Sequence, residues 1–400
     1  MERTGTPLPR QERIRVVVAD DSGFMRKLIS DALASRGHEV VGQAADGDQA
    51  LALCERLKPD VLSLDLAMPG LDGIGVLKRL RASATPIPVV VVSAFSPAHG
   101  ARAIDALAEG AVELVAKPSD GEPLRQFFGE LADKVALASA SRPPWSRALA
   151  PRVAPPARPA TPARPPAPWR KPAEPASPAA PMRGRSRPAP APAPAPVPVD
   201  QPARQRPAKL PAGERRAVVI ACSTGGPQAL AELLPKLPAP LGQGVLIVQH
   251  MPPGFTASLA ERLDKASPLT VVEARGGEAL DPRVAYLCPG GSHLRVGQDK
   301  KSRLTDEAPI GGLRPRADLT IEDAARLWGD RLLLVVLTGM GSDGLAGARV
   351  VKQHGGVVVV EAEETCTVYG MPRAVAEAGL ADHVVPLNRI HDTIVQEAGR

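Results

Sequence analysis

The chain has 400 residues, which makes two or three domains the starting expectation. Its +6 charge, from 49 Lys plus Arg against 43 Asp plus Glu, suggests nucleic acid until it is located: residues 1–138 hold 16 basic and 19 acidic side chains and 217–400 hold 18 and 21, so neither part carries a basic binding face. Cys54, Cys222, Cys288 and Cys366 form no CxxC pair and stand near no His cluster, which argues against a zinc site and fits a reducing compartment.

From residue 14, apolar runs alternate with amphipathic stretches. Strands are predicted at 14–19, 40–45, 61–64, 89–93 and 112–115, and helices at 24–35, 49–57, 74–81, 101–108 and 123–137. Five of each in about 125 residues predict an α/β domain with a doubly wound parallel sheet. Residues just beyond the strands of such a sheet gather at its carboxyl edge. Here Asp20 and Asp21 come after the first strand and Asp65 after the third, Ser93 ends the fourth, and Lys117 comes after the fifth. Three carboxylates at one edge repel one another unless a cation neutralises them, and an all-oxygen cluster suits Mg²⁺. A hydroxyl and an ammonium beside a metal-bound carboxylate are what an acyl phosphate on Asp65 needs. Taken singly, each Asp also reads as a helix cap. Five such positions on successive strand ends favour one shared site.

This segment closely resembles the response-regulator receiver family in Ala19-Asp-Asp-Ser22, Leu64-Asp-Leu-Ala-Met-Pro-Gly70, Ser93-Ala94 and Lys117-Pro118. The resemblance implies a flavodoxin-like fold over 14–138 and phosphorylation of Asp65 by a histidine kinase. It implies Mg²⁺ held by Asp21, Asp65 and the Ala67 carbonyl, with Asp20 acting through water, Ser93 sensing the phosphoryl group and Lys117 pairing with it. One departure is Leu114, which stands where the family has an aromatic switch residue.

Residues 139–213 are dominated by Pro, Ala and Arg, including the run Pro188-Ala-Pro-Ala-Pro-Ala-Pro-Ala-Pro-Val-Pro198. Such a composition cannot bury enough apolar surface to fold, and a disordered linker with extended polyproline II character is predicted, its full reach on the order of 200 Å. Its arginines, with Trp145 and Trp169, read first as solvated charge on a spacer.

A second α/β domain is predicted over 214–400. The apolar run Ala217-Val-Val-Ile-Ala-Cys-Ser-Thr-Gly-Gly226 reads as a buried strand that ends by presenting Ser223, with Pro227 in the first turn of the next helix. Ser223 then lies beside a helix N-terminus whose N–H groups can hold an oxyanion. Further strands are predicted at 245–248, 270–273, 284–288, 294–296, 332–337 and 357–360, with helices at 256–263 and 319–327. His250 and Asp343, like Ser223, fall just beyond strand ends. A hydroxyl, an imidazole that takes and returns its proton, and a carboxylate that fixes the imidazole are the parts of nucleophilic acyl transfer. Singly, Ser223 reads as a cap, His250 as a packed histidine and Asp343 as an Asx turn; together each completes the others. The chain order Ser, His, Asp and the absence of GxSxG exclude the α/β-hydrolase pattern.

Ala221-Cys-Ser-Thr-Gly-Gly226, Val248-Gln-His-Met-Pro-Pro-Gly-Phe-Thr256, Tyr286-Leu-Cys-Pro-Gly-Gly-Ser-His-Leu294, Leu337-Thr-Gly-Met-Gly-Ser-Asp-Gly344 and Val368-Tyr-Gly-Met-Pro-Arg373 look like the chemotaxis protein-glutamate methylesterases. The resemblance implies a Rossmann-like catalytic domain that hydrolyses glutamate γ-methyl esters, and deamidates glutamines, on methyl-accepting chemotaxis receptors. It implies Ser223 as nucleophile, His250 as base then acid, Asp343 as the orienting carboxylate, the Met340 N–H in the oxyanion hole and Thr224 lining the site, with no cofactor for the esterase chemistry. It also implies that the unphosphorylated receiver covers the catalytic edge. Two departures are Ala221-Cys222 in place of Gly-Ala, and Gly311-Gly-Leu-Arg-Pro-Arg316 in place of Asn-Gly-His-Arg-Pro-Ser, which keeps Arg314 and Pro315 but changes the places of Gly311, Leu313 and Arg316.

The leading expectation is a phosphorylation-activated esterase; the alternative is a receiver-linked signalling scaffold with little turnover. A DNA-binding output would need a small basic helical domain, which the 217–400 segment does not offer. No apolar run is long enough to span a bilayer and no signal peptide is recognisable, so a cytoplasmic location without membrane insertion or nucleic-acid partner is expected.

Overall fold

The computed structural model describes residues 13–83, 87–94, 97–118, 124–141 and 214–399. The predicted spacer from 142 onward, with Trp145, Trp169 and the basic surplus, lies outside the described residues. The last helix of the first domain runs to Ala140, with Ala138 fully buried in its final turns.

The first domain alternates β1 (Arg15–Ala19), α1 (Gly23–Ser35), β2 (Glu39–Ala44), α2 (Gly47–Leu57), β3 (Val61–Asp65), α3 (Gly73–Arg81), β4 (Val89–Ser93), α4 (Pro97–Ala108), β5 (Glu113–Ala116) and α5 (Leu124–Ala140). The sheet is parallel in the order β2-β1-β3-β4-β5, the doubly wound arrangement expected. Val61–Asp65 and Val89–Ser93 are buried throughout, as central strands covered by helices on both faces must be. Ser22, Asp46 and Asp72 each cap the next helix through a side-chain oxygen.

The second domain holds β6 (Ala217–Cys222), α6 (Gly226–Leu233), β7 (Val245–Gln249), α7 (Phe255–Ala266), β8 (Thr270–Glu273), β9 (Val284–Leu287), β10 (His293–Val296), β11 (Ser302–Thr305), α8 (Ala317–Trp328), β12 (Leu332–Val336), α9 (Leu345–Gln353), β13 (Val357–Glu361), α10 (Met371–Glu377), β14 (His383–Val385) and α11 (Leu387–Ala398). Seven strands pair in parallel in the order β14-β13-β12-β6-β7-β9-β8, while β10 and β11 form a separate antiparallel hairpin. β6 lies between β7 and β12, so the strand order reverses there, and such a switch point opens a crevice at the carboxyl edge. Here α6, α7 and α9 begin at Gly225, Gly254 and Gly344, all with positive φ and no side-chain cap. At α9 the Gly344 and Gly347 N–H groups are taken by a side chain distant in sequence, Asp318.

α4 packs on α6 and α7, and Ile104 and Leu107 belong to the same buried apolar cluster as Leu230, Phe255 and Leu259. The two domains thereby share one continuous core. Among the described residues no helix is long and apolar enough to cross a membrane.

Candidate functional site

Because β12, β6 and β7 are neighbours, the residues beyond their ends converge. His250 Nε2 lies 2.7 Å from Asp343 Oδ2, with the carboxylate fully buried and the imidazole nearly so. Ser223 and His250 line one cavity, together with Gln249 and Met251. The Ser223 hydroxyl has no hydrogen-bond partner among the described residues, so the row is closed on its His–Asp side and open at the serine. With Nε2 on the carboxylate, Nδ1 is the ring nitrogen left without a hydrogen bond among the described residues.

Local backbone explains the placement. The Ser223 N–H donates to Thr338 O at 3.0 Å, which ties the end of β6 to the loop carrying Asp343. Gly339 has to be glycine: a β-carbon there would lie 2.8 Å from Ser223 Cβ. One residue on, the Met340 N–H meets no acceptor among the described residues, while the Met340 side chain is exposed. Gln249, buried at the end of β7, donates through Nε2 to the carbonyls of both Ser223 and His250 at 2.9 Å. It clamps the two turns together. Sequence reasoning misses Gln249, whose one signal is a polar residue closing an apolar strand.

Asp343 accepts the Ala317 N–H at 2.7 Å and the Asp318 N–H at 2.9 Å, so it caps α8 as well as facing the imidazole. Asp318 returns the arrangement by accepting the Gly344 and Gly347 N–H groups at the start of α9. Burial pushes the Asp343 carboxyl up, but the His250 hydrogen bond and charge, with the two N–H donors, outweigh it and hold the group well below the usual carboxylate range. Asp343 thus faces His250 and caps α8 with the same carboxylate. Cys222, next to Ser223, is fully buried with its thiol pushed far up by that burial, so it is not a thiolate.

The cavity holds only about 20 Å³, room for a single water. Its other wall comes from the first domain: Leu107, Val112, Glu113, Leu114 and Lys134. Thr224 Oγ1 donates to Glu113 Oε1 at 2.6 Å, and Glu113 Oε2 is held by Lys134 at 3.1 Å. Gln228 Nε2 donates to the Leu107 and Ala111 carbonyls at 2.6 and 3.0 Å, and Arg262 pairs with Asp105. Leu114, the residue standing where an aromatic was expected, is itself part of this wall.

In the first domain Asp20, Asp21 and Asp65 offer carboxylate oxygens that all lie within 4.8 Å of one another. Lys117 Nζ sits 2.7 Å from Asp65 and 2.8 Å from Asp20. Burial raises the Asp20 pKa, a tendency the nearby Asp65 charge reinforces and Lys117 opposes. The Ser93 hydroxyl is buried with no hydrogen-bond partner among the described residues, and the Ser93 carbonyl accepts the Lys117 N–H at 2.7 Å. Asp20, Asp21, Asp65 and Lys117 are thus brought together.

Residues 218–394 match the CheB methylesterase family and residues 16–128 the response regulator receiver domain family. A protein-glutamate methylesterase/protein-glutamine glutaminase of Symbiobacterium thermophilum is 40% identical over 392 residues, covering 97% of this chain and 98% of its own length. One of the same name from Halalkalibacterium halodurans is 38% identical over 399 residues, covering 98% and 100%. The crystal structure of the Thermotoga maritima CheB methylesterase catalytic domain is 44% identical, covers 46% of this chain and 98% of that one, and has a TM-score of 0.45.

Proposed function

Since the chain belongs to the protein-glutamate methylesterase/protein-glutamine glutaminase family and carries a response-regulator receiver domain, we propose that it hydrolyses glutamate γ-methyl esters, and glutamine side-chain amides, on methyl-accepting chemotaxis receptors in the cytoplasm, under control of a histidine kinase. The observation that carries this reading is the 2.7 Å contact between His250 and Asp343 across one cavity from Ser223. In the proposed organisation 14–138 is the receiver, the spacer runs to 213, and 214–400 is catalytic.

In the proposed reaction, Ser223 Oγ attacks the ester carbonyl carbon as His250 Nδ1 takes its proton. The carbonyl oxygen becomes an oxyanion, for which the Met340 N–H is the proposed donor, with Thr224 lining the pocket. Asp343 steadies the imidazolium through Nε2. His250 then gives the proton to the methoxy oxygen, the C–O bond breaks and methanol leaves. Water repeats the sequence on the acyl-serine, releasing the glutamate carboxylate and restoring Ser223. With a glutamine substrate the leaving group is ammonia. The direct test is methanol release from methylated receptor with and without a phosphoryl donor: turnover that rises with the donor is expected, and none in either condition would favour the scaffold alternative.

The closed cavity supports control by the receiver, since a methyl ester cannot enter space for one water. Glu113→Ala removes a charged hydrogen bond to Thr224 and is expected to raise methanol release without phosphoryl donor by roughly tenfold. Arg262→Ala breaks a pair whose side chains are 43% and 51% exposed, and is expected to change it less than about threefold. An equal response of the two would remove Glu113 as a latch.

Asp65 is the proposed phosphoacceptor. Asp21, Asp65 and the Ala67 carbonyl, with Asp20 through water, would hold Mg²⁺, which when bound offsets the charge of the incoming phosphoryl oxygens. The all-oxygen donor set and the partnerless Ser93 hydroxyl fit this. Lys117 would release Asp20 and pair with the phosphoryl group. Chelation by EDTA is expected to abolish phosphorylation of Asp65 by acetyl phosphate while leaving unstimulated methanol release unchanged. Phosphorylation that persists in EDTA would take the metal out of this pocket.

A further inference from the structure

Two buried carboxylates, Asp343 and Asp318, stand side by side between the starts of α8 and α9, 2% and 5% exposed. Such neighbours ordinarily share a proton. Burial pushes Asp318 up, and the Asp343 charge pushes it further. Between them lies Arg316, whose Nε is 2.9 Å from Asp343 Oδ1 and whose Nη2 is 2.7 Å from Asp318 Oδ2. Arg316 occupies the N-cap position of α8 without capping it; Asp343 does that instead. The other titratable groups touching this trio are His250, on Asp343, and His293, whose Nδ1 accepts the Arg316 backbone N–H at 3.1 Å. Arg316 is thus the one fixed positive charge in contact with the pair among the described residues.

We propose that Arg316 is a positioning residue of the hydrolytic site, a guanidinium fork that lets Asp343 and Asp318 both stay ionised so that Asp343 is always an acceptor towards His250. The proposal rests on the Ser223–His250–Asp343 reading. Its chemical content is specific. A proton shared by the carboxylate pair would give Asp343 a hydroxyl to donate to Nε2, placing the imidazole proton on Nδ1 and leaving no base for Ser223. The planar fork suits the task because one side chain must face two carboxylates at once. Arg316 is also one of the places where the 311–316 segment departs from the pattern it resembles. At Arg316 the departure therefore sits on Asp343.

The test uses the full chain with a phosphoryl donor and compares wild type, Arg316→Ser, Arg316→Lys and the double variant Arg316→Ser/Asp318→Asn. In Arg316→Ser the acid limb of the kcat/KM profile is expected to move to higher pH by about one unit or more, with activity at alkaline pH returning towards wild type. Lysine is expected to restore most of the shift. Removing the second carboxylate should restore it as well, since the pair no longer needs balancing. A limb that stays put in Arg316→Ser, or that Asp318→Asn fails to restore, overturns the proposal.

Thermal melting supplies a readout independent of turnover. With Arg316 gone the pair binds a proton more tightly folded than unfolded, so stability is greatest when that proton is on and falls as pH rises from the ordinary carboxyl range through the pair's raised folded value. The Tm deficit of Arg316→Ser is expected to widen with rising pH. A deficit constant in pH would reduce Arg316 to packing even if methanol release were normal. Absence of methanol release in wild type would count against the esterase reading and leave the melting result to decide the role of Arg316.

Discussion

Ser223→Ala is expected to lower methanol release by about 10⁴-fold or more while leaving the melting temperature where it was. Both halves of that expectation come from the same feature. The Ser223 hydroxyl makes no hydrogen bond within the described residues, so removing it breaks nothing that holds the fold, and the stability change should be well under about 1 kcal/mol. The turn is instead fixed by its backbone, through Thr338, Gly226 and Gln249, none of which needs the hydroxyl. Nor can a neighbour take over the chemistry. Cys222 is fully buried and its thiol sulfur lies 3.8 Å from the Val248 carbonyl, away from solvent and strongly disfavoured as thiolate. A rate in the variant within about tenfold of wild type would mean that another nucleophile does the work.

Asp343→Asn is expected to behave differently, losing about 10⁴-fold in rate together with about 3 kcal/mol or more of stability. The side chain is fully buried and accepts from His250, Ala317, Asp318 and Gly344 while pairing with Arg316. An amide of the same shape must turn an NH₂ towards one of these donors and leaves the Arg316 charge half paired. It also donates to the imidazole where a carboxylate accepts. The wild-type carboxyl is held below its ordinary pKa, so its contribution to stability is present above about pH 4 and fades only as pH falls through the lower folded value. Chemical denaturation and methanol release on the same preparation read both effects. A variant as stable as wild type would contradict the double capping of α8 and α9, and one as active would contradict the role given to the carboxylate.

Much of this architecture is legible in the sequence because the strands are near-uniform apolar runs. Val89–Ser93 and Leu332–Val336 read as buried parallel strands from their length and β-branched content, and residues just past the ends of such strands gather at one edge, which is how Ser223 and His250 are legible; Asp343, further along its loop, is legible from the motif around it. Other elements carry weaker signals. β14 has only three residues and β11 four, so neither stands out from its surroundings. Which imidazole nitrogen faces Asp343 depends on the angle of approach of two loops, which periodicity does not encode. The Glu113–Thr224 contact joins residues 111 positions apart, and a lone glutamate opening a short strand gives no hint of it. The Asp343–Asp318 exchange of caps is hidden because each aspartate, read alone, looks like an ordinary cap for its own helix.

The short strand β5 links the acidic pocket to the catalytic cavity. Glu113, which grips Thr224, opens this four-residue strand, and Lys117, which grips Asp65, comes directly after it. The two residues are only about 13 Å apart along the strand, so the grip on Asp65 and the grip on Thr224 are anchored in one short piece of backbone. Hydrogen bonds weaken steeply with small changes in distance and angle, so a slide well short of one residue is enough to let go of the threonine. Leu114 stands between the two grips on the same strand and lines the cavity, so the residue in the aromatic's place lies on the shortest covalent path from the acidic pocket to the cavity.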